Sequence, residues 1–223
     1  MHKIEKILIL IEVHKYNNTK VLNMTDIFTN ATNAMHDKRI RRDIWADSRW
    51  RNISNLENDD VGKVGENVIN DICKVAKIDV NIDGLKTKQI GGGIGDGMIN
   101  NKSVEIKTAR LGSTTPSFQH ELGEKPWNAE YMLFLDVAPN ELFITVFKNF
   151  NQEFYESSGR DSKIKCEPYF PTKSITWRKC KGAFKLDTTP IINRASKYCF
   201  TIDGPITDDI AEKFKEFITT IVI

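Results

Sequence analysis

The sequence predicts an α/β (α+β) fold with a central mixed β-sheet flanked by helices. Three observations carry that prediction. One long segment has apolar residues at helical spacing, several short β-rich segments follow it, and the chain closes on a second helical stretch. The 223 residues suffice for one domain with a substantial core, taken as a single domain over 1–223. A hydrophobic content of 40% and a charged content of 28% exclude wholesale disorder. The net charge is only +2, so any affinity for a polyanion must come from where the cations sit.

Residues 1–55 read as a small helical region ahead of the main domain. Residues 3 to about 16 favour a helix ending at Tyr16-Asn17-Asn18. Thr25 suits the N-cap of a second helix, "DIFTNATNAM". In "DKRIRRDIWADSRW", Ile40, Ile44 and Trp45 share one side, with Lys38, Arg39, Arg41, Arg42 and Arg49 largely around the rest. The apolar run Ile7 to Ile11 is bounded by Lys6 and Glu12, too short for a signal peptide or membrane span. A cytoplasmic protein with no membrane partner is therefore expected.

"NDDVGKVGENVINDICKVAKI" is the clearest helix, with Val61, Val64, Val68, Ile72 and Val75 at three- and four-residue steps. Asp59 or Asp60 suits its N-cap and the positive end of its dipole. Glu66 falls off the stripe, beside Gly62 and Gly65. Each glycine costs the helix about 1 kcal/mol relative to alanine, which makes sense where something must approach this face closely. Cys73 reads as a buried free thiol, and the spacing of Cys73, Cys166, Cys180 and Cys199 fits neither a disulfide framework nor a zinc site.

Strand signals then follow: "IDVNI", "GDGMI", "SVEIKTARL", "EYMLFLDVA" and "ELFITVF". Asn100-Asn101 makes a tight hairpin turn, since asparagine tolerates positive φ. "YMLFLDV" is almost wholly apolar, as a strand covered on both faces should be. Pro139-Asn140 turns the chain into the next strand. After Phe150 come a short helix near "FNQEFYESS", strands in "SITWRKCKGAFKL" and "KYCFTI", and a closing helix from Thr207. The terminal "FITTIVI" reads as a buried final helix turn or a strand.

Chemistry concentrates in "GGGIGDGMINNKSVEIKTAR". In a strand, Glu105 and Lys107 point to one face while Val104 and Ile106 point to the other. Asp96 lies on the strand that the Asn100-Asn101 turn folds back beside Glu105. Adjacent carboxylates repel unless a cation bridges them. A hard divalent ion with carboxylate and water ligands resolves the conflict, and the Ile106 carbonyl would add an oxygen. Lys107 is then placed to hold or deprotonate an attacking water, or to neutralise charge on a phosphorane-like transition state. Glu66 would add a third carboxylate if its helix packs with the glycine face toward the hairpin. "GGGIGDG" lacks GxxxxGK[ST] and a following apolar helix, so no nucleotide cofactor is expected.

The pattern "GDG-x7-VEIK" resembles the catalytic motif of the PD-(D/E)XK nuclease superfamily: an acidic residue, a β-hairpin, then (D/E)-x-K on the neighbouring strand. "VGKVGENVI" is similar to that superfamily's first core helix, and "YMLFLDV" to its central buried strand. The resemblance covers about residues 60–147. It implies a restriction-endonuclease-like core over 56–150, with Asp96 and Glu105 as metal ligands, Lys107 as the water-orienting lysine and Glu66 as an auxiliary acid. It further implies a type II restriction endonuclease, a homodimer using Mg²⁺ to cut double-stranded DNA to 5′-phosphate and 3′-hydroxyl ends. A nicking or repair endonuclease on the same core is the alternative, or a non-catalytic DNA-binding module. Gly95 stands where the motif often has proline, and the glutamine-x3-tyrosine element of the RecB-like branch is not evident after Lys107.

Basic clusters supply candidate DNA contacts. "DKRIRRDIWADSRWRN" combines six cations with Trp45 and Trp50, and Arg39, Arg41 and Arg42 would grip phosphates. Lys173, Arg178, Lys179, Lys181 and Lys185 surround Trp177 within 151–223, the region expected to hold recognition and dimerisation elements. Gln119 and His120 fall in an expected loop near the site, where His120 would meet a phosphate or stay a structural surface residue. Asp136, in the buried strand, needs a partner and is read as structural.

Overall fold

A computed structural model describes residues 24–39, 43–83, 95–123, 129–148, 176–180 and 183–221. The expected helices at 3–16 and near 150–158, most of the glycine-rich loop before Gly95, and Ile40, Arg41, Arg42, Lys173 and Lys181 lie outside the described residues. The chain divides into two compact units, Met1–Asp43 and Ile44–Ile223. In the first, helix α1 spans Met24–Arg39 and contains the expected "DIFTNATNAM".

The second unit takes in Ile44 to Asn55, which the sequence assigns to the N-terminal helical region. Residues 44–50 form turns and Arg51–Asn55 a 3₁₀ helix. Trp45 and Ile53 are buried in the main core, and that burial attaches the segment to this unit. Helix α2, Asn58–Val75, then packs on the sheet. Its buried stripe is Val61, Gly65, Ile69, Ile72 and Cys73. The stripe is thus rotated from the expected one: Ile69 is fully buried, while Val75 is 48% exposed. Asp59 and Asp60 occupy the first turn, where the helix dipole favours anions, but neither caps it; Glu57 is the N-cap residue and makes no side-chain cap bond.

The main sheet has six strands: β1 (Val80–Ile82), β2 (Gly97–Ile99), β3 (Lys102–Arg110), β5 (Tyr131–Val137), β6 (Leu142–Lys148) and β9 (Cys199–Ile202). They lie in the order β1-β2-β3-β5-β6-β9. Only β3 and β5 run parallel, so the sheet is mixed, as expected. A parallel pair needs a long crossover, and this one, over 111–130, contains strand β4 (Phe118–Gly123), with no helix among its described residues. β4 joins β8 (Ala183–Thr188) and β7 (Thr176–Cys180) in a second, three-stranded sheet. Helix α3 (Pro190–Ala195) and the closing helix α4 (Asp208–Ile221) complete the unit.

Strand alternation divides the core. Val104 and Ile106 of β3, Leu133 and Leu135 of β5, and Ile144 and Val146 of β6 form one cluster with α2 and α4 residues such as Ile69, Ile72 and Phe214. On the opposite face Ala109, Phe118, Ala138 and Phe143 form a second cluster under the crossover. All seven residues of β5 are buried, so it is the doubly covered strand its composition predicts.

Candidate active site at the β2–β3 hairpin

Asn100 and Asn101 have φ of 48° and 63°, the double left-handed turn that matches strand twist. This turn sets the register Ile99↔Lys102, Met98↔Ser103 and Gly97↔Val104. The N–H of Asp96 also reaches the Val104 carbonyl, at 2.8 Å. Two residues of one strand thus oppose one of the other, the signature of a β-bulge, which re-aims a side chain. Gly95 makes this possible: its φ is +104°, and a Cβ there would lie 2.3 Å from the Val104 carbonyl oxygen.

The re-aimed carboxylate of Asp96 accepts the Ile106 N–H through Oδ2 at 2.8 Å. It takes the place β2 would fill had it continued. Within a strand the N–H and C=O of one residue point to the same edge, so the Ile106 carbonyl faces the edge that Asp96 approaches. Glu105, on one side of Ile106, is 6% exposed, and Asp96 is 8% exposed. Lys107, on the other side, sets its Nζ 2.6 Å from Glu105 Oε1. The Glu105 and Lys107 side chains therefore share a face, and Asp96 reaches the backbone between them. Lys107 is the more open of the pair, with 26% of its side chain exposed against 8% for Glu105.

The root of the hairpin is pinned separately. Lys102 donates to Glu130 Oε1 at 3.0 Å, and the Ser103 N–H donates to Oε2 at 3.3 Å. The Lys102 ammonium and the Ser103 N–H hold the Glu130 carboxyl below the usual carboxylate range. The Ser103 hydroxyl accepts the Glu130 N–H at 2.9 Å, closing the clamp.

Glu66 stands differently. α2 meets β3 where a Cβ on Gly65 would lie 1.7 Å from Thr108 Oγ1. Gly65 is thus the glycine that close approach requires, whereas a Cβ on Gly62 would meet nothing within 4 Å. Thr108 shares its face with Val104 and Ile106, opposite Glu105 and Lys107. Glu66 is half-buried beside Gly65. Among the described residues no three histidine, cysteine, aspartate or glutamate side chains gather as a metal cluster. Asp96, Glu105 and the Ile106 carbonyl offer oxygens along this stretch of the hairpin, hard donors of the kind Mg²⁺ takes.

The expected loop holding Gln119 and His120 is strand β4. Gln119 is exposed, but His120 is only 2% exposed and is not presented to a phosphate. Its Nε2 lies 2.6 Å from Asp136 Oδ1. Thr188 Oγ1 donates to Asp136 Oδ2 at 2.8 Å and Asn193 Nδ2 at 2.6 Å. Asp136 has the partners its burial demands. Thr188 and Asn193 carried no sequence signal, because they come from elements some fifty residues away. Arg39 ends α1, and Arg178 and Lys179 lie on β7 at register positions opposite Lys185 and Phe184.

No protein-family model matches the chain, and neither the curated proteins nor the solved structures compared with it include a significant match. No described helix is long and apolar enough to cross a membrane.

Proposed function

We propose that the chain is a Mg²⁺-dependent endonuclease of double-stranded DNA with a PD-(D/E)XK, restriction-endonuclease-like core. The type II, sequence-specific, homodimeric form is the one favoured. The observation that carries the reading is the bulged hairpin edge, where the Asp96 carboxylate sits on the Ile106 N–H between Glu105 and Lys107. The surrounding order supports it: a helix, three antiparallel strands, then a buried strand parallel to the one bearing Glu-x-Lys.

Asp96, Glu105 and the Ile106 carbonyl would hold Mg²⁺, which supplies Lewis-acid stabilisation of charge on the phosphoryl oxygens. Burial of both carboxylates strengthens their pull on a cation and their orientation of its waters. Lys107 touches Glu105 yet remains partly open to solvent. Its ammonium can therefore hold a water for in-line attack and offset charge on the scissile phosphate. Twofold pairing of chains would match two such edges to the two strands of a palindrome.

The test is cleavage of plasmid and phage DNA with Mg²⁺, with Ca²⁺ and with EDTA. Discrete fragments with Mg²⁺ alone are expected. Asp96→Asn and Lys107→Ala should each lower the cleavage rate by about 10²-fold or more while leaving the fold intact by circular dichroism. Undiminished cleavage by either variant removes the site assignment. Nicked product alone would favour a nicking or repair enzyme, and binding without cleavage a DNA-binding module.

A further inference from the structure

Asp136 is 1% exposed and accepts hydrogen bonds from three elements: His120 on β4, Thr188 on β8 and Asn193 on α3. With Thr188 and Asn193 both donating to the carboxylate, the proton between Asp136 and His120 belongs on His120 Nε2. His120, Thr188 and Asn193 are themselves at most 2% exposed, so the whole hub is closed to bulk solvent. It joins the three-stranded sheet to the main sheet.

The hub stands on the face that bears Glu105 and Lys107. The register pairs Lys107 with Phe134 and Ala109 with Asp136, which places all four side chains on one side of the sheet. The His120 ring lies 4.5 Å from the Phe134 ring, centroid to centroid, and Phe134 meets Phe147 edge-on at 5.1 Å. A continuous path thus runs from Asp136 through His120 to Phe134, the β5 neighbour of Lys107. A carboxylate with three donors costs more to bury than an apolar residue would, and packing alone needs no histidine here.

We propose that His120 and Asp136 are positioning residues for Lys107. Asp136 fixes the plane of the His120 ring, and the ring holds Phe134 as the wall beside the lysine. The inference rests on the nuclease reading of the hairpin edge. Neither residue touches DNA; they set where the Lys107 ammonium sits relative to the phosphate.

The test separates chemistry from binding. Single-turnover cleavage in Mg²⁺ and DNA affinity in Ca²⁺ are measured for the wild type, His120→Ala, His120→Gln and Thr188→Val, with the folded fraction of each taken from thermal melts. His120→Ala should slow single-turnover cleavage by about tenfold or more, since misplacing a reacting group by an ångström costs up to about 10²-fold. Its DNA affinity per folded molecule should stay unchanged. His120→Gln, whose amide can still donate to Asp136, should recover most of the rate. Thr188→Val removes one donor with little change of shape and should show the same split, more mildly, even if His120→Ala fails to fold. Wild-type rates in folded Thr188→Val and His120→Ala would overturn the inference and leave the nuclease intact. Equal losses of rate and affinity that track the folded fraction would overturn it too, as a purely structural hub. A wild type that never cleaves DNA would sink the nuclease reading itself, and the positioning role with it.

Discussion

The missing side chain of Gly65 decides how close α2 lies to β3. An added methyl gains up to about 1 kcal/mol of helix propensity. It would also meet Thr108 Oγ1 at 1.7 Å, inside a packed core. Overpacking of that kind costs about 1–3 kcal/mol, so the clash wins. Gly65→Ala should lower the denaturant midpoint, and adding Thr108→Ala should recover part of the loss by removing Oγ1 and Cγ2. Full stability in the single variant would contradict the contact. Cys73 is a second residue whose surroundings set its chemistry. It is wholly buried, and burial pushes its thiol up to about 12. Only a thiolate attacks a disulfide reagent. Peptide mapping after exposure to such a reagent should find Cys73 modified in denatured protein and protected in native protein.

Among the elements, the β2–β3 hairpin depends on its turn. Two consecutive residues at positive φ cost a side chain with a plain Cβ about 1–2 kcal/mol each, and Asn100 and Asn101 avoid much of that. Replacing both with alanine should destabilise the protein by about 1–3 kcal/mol. Replacement with Asn-Gly should match or exceed the native midpoint. The turn and its flanking strands were legible because the signal is local. The local signal for β4 is weaker, although Phe118, His120 and Leu122 alternate with exposed Gln119 and Glu121. A histidine stood where period-two reading expects an apolar residue, and its suitability for burial came from Asp136 on another strand. α3 is illegible in the sequence despite Thr189 capping it through the Ile192 N–H and proline following at once. At six residues it is too short to show a helical period.

For the whole molecule, alkaline pH is the revealing variable. Below pH 9 the Cys73 thiol keeps its proton folded or unfolded and contributes no pH dependence. Between its ordinary value of 9.0 and about 12, the unfolded chain releases the proton while the folded one retains it. The native state then binds more protons, so stability falls as pH rises, by up to about 1.4 kcal/mol per pH unit. Burial raises the Tyr131 hydroxyl in the same direction. The denaturant midpoint should drop between pH 8 and pH 10.5, and Cys73→Ala should drop less steeply. A midpoint independent of pH would refute this.

Sequence by itself determined the elements whose residues answer to one another at short range. These include α2, the hairpin, the buried β5, and the shared face of Glu105 and Lys107. Period, turn chemistry and strand alternation are properties of consecutive residues, and they survive whatever the rest of the chain does. Tertiary structure alone decided three matters. It set the rotation of α2, because Gly65 had to meet Thr108. It aimed Asp96 at the Ile106 N–H through a bulge. It also turned His120 inward to Asp136 rather than outward. Each depends on a partner brought close by folding, and no local pattern encodes the distance to a residue that only packing supplies.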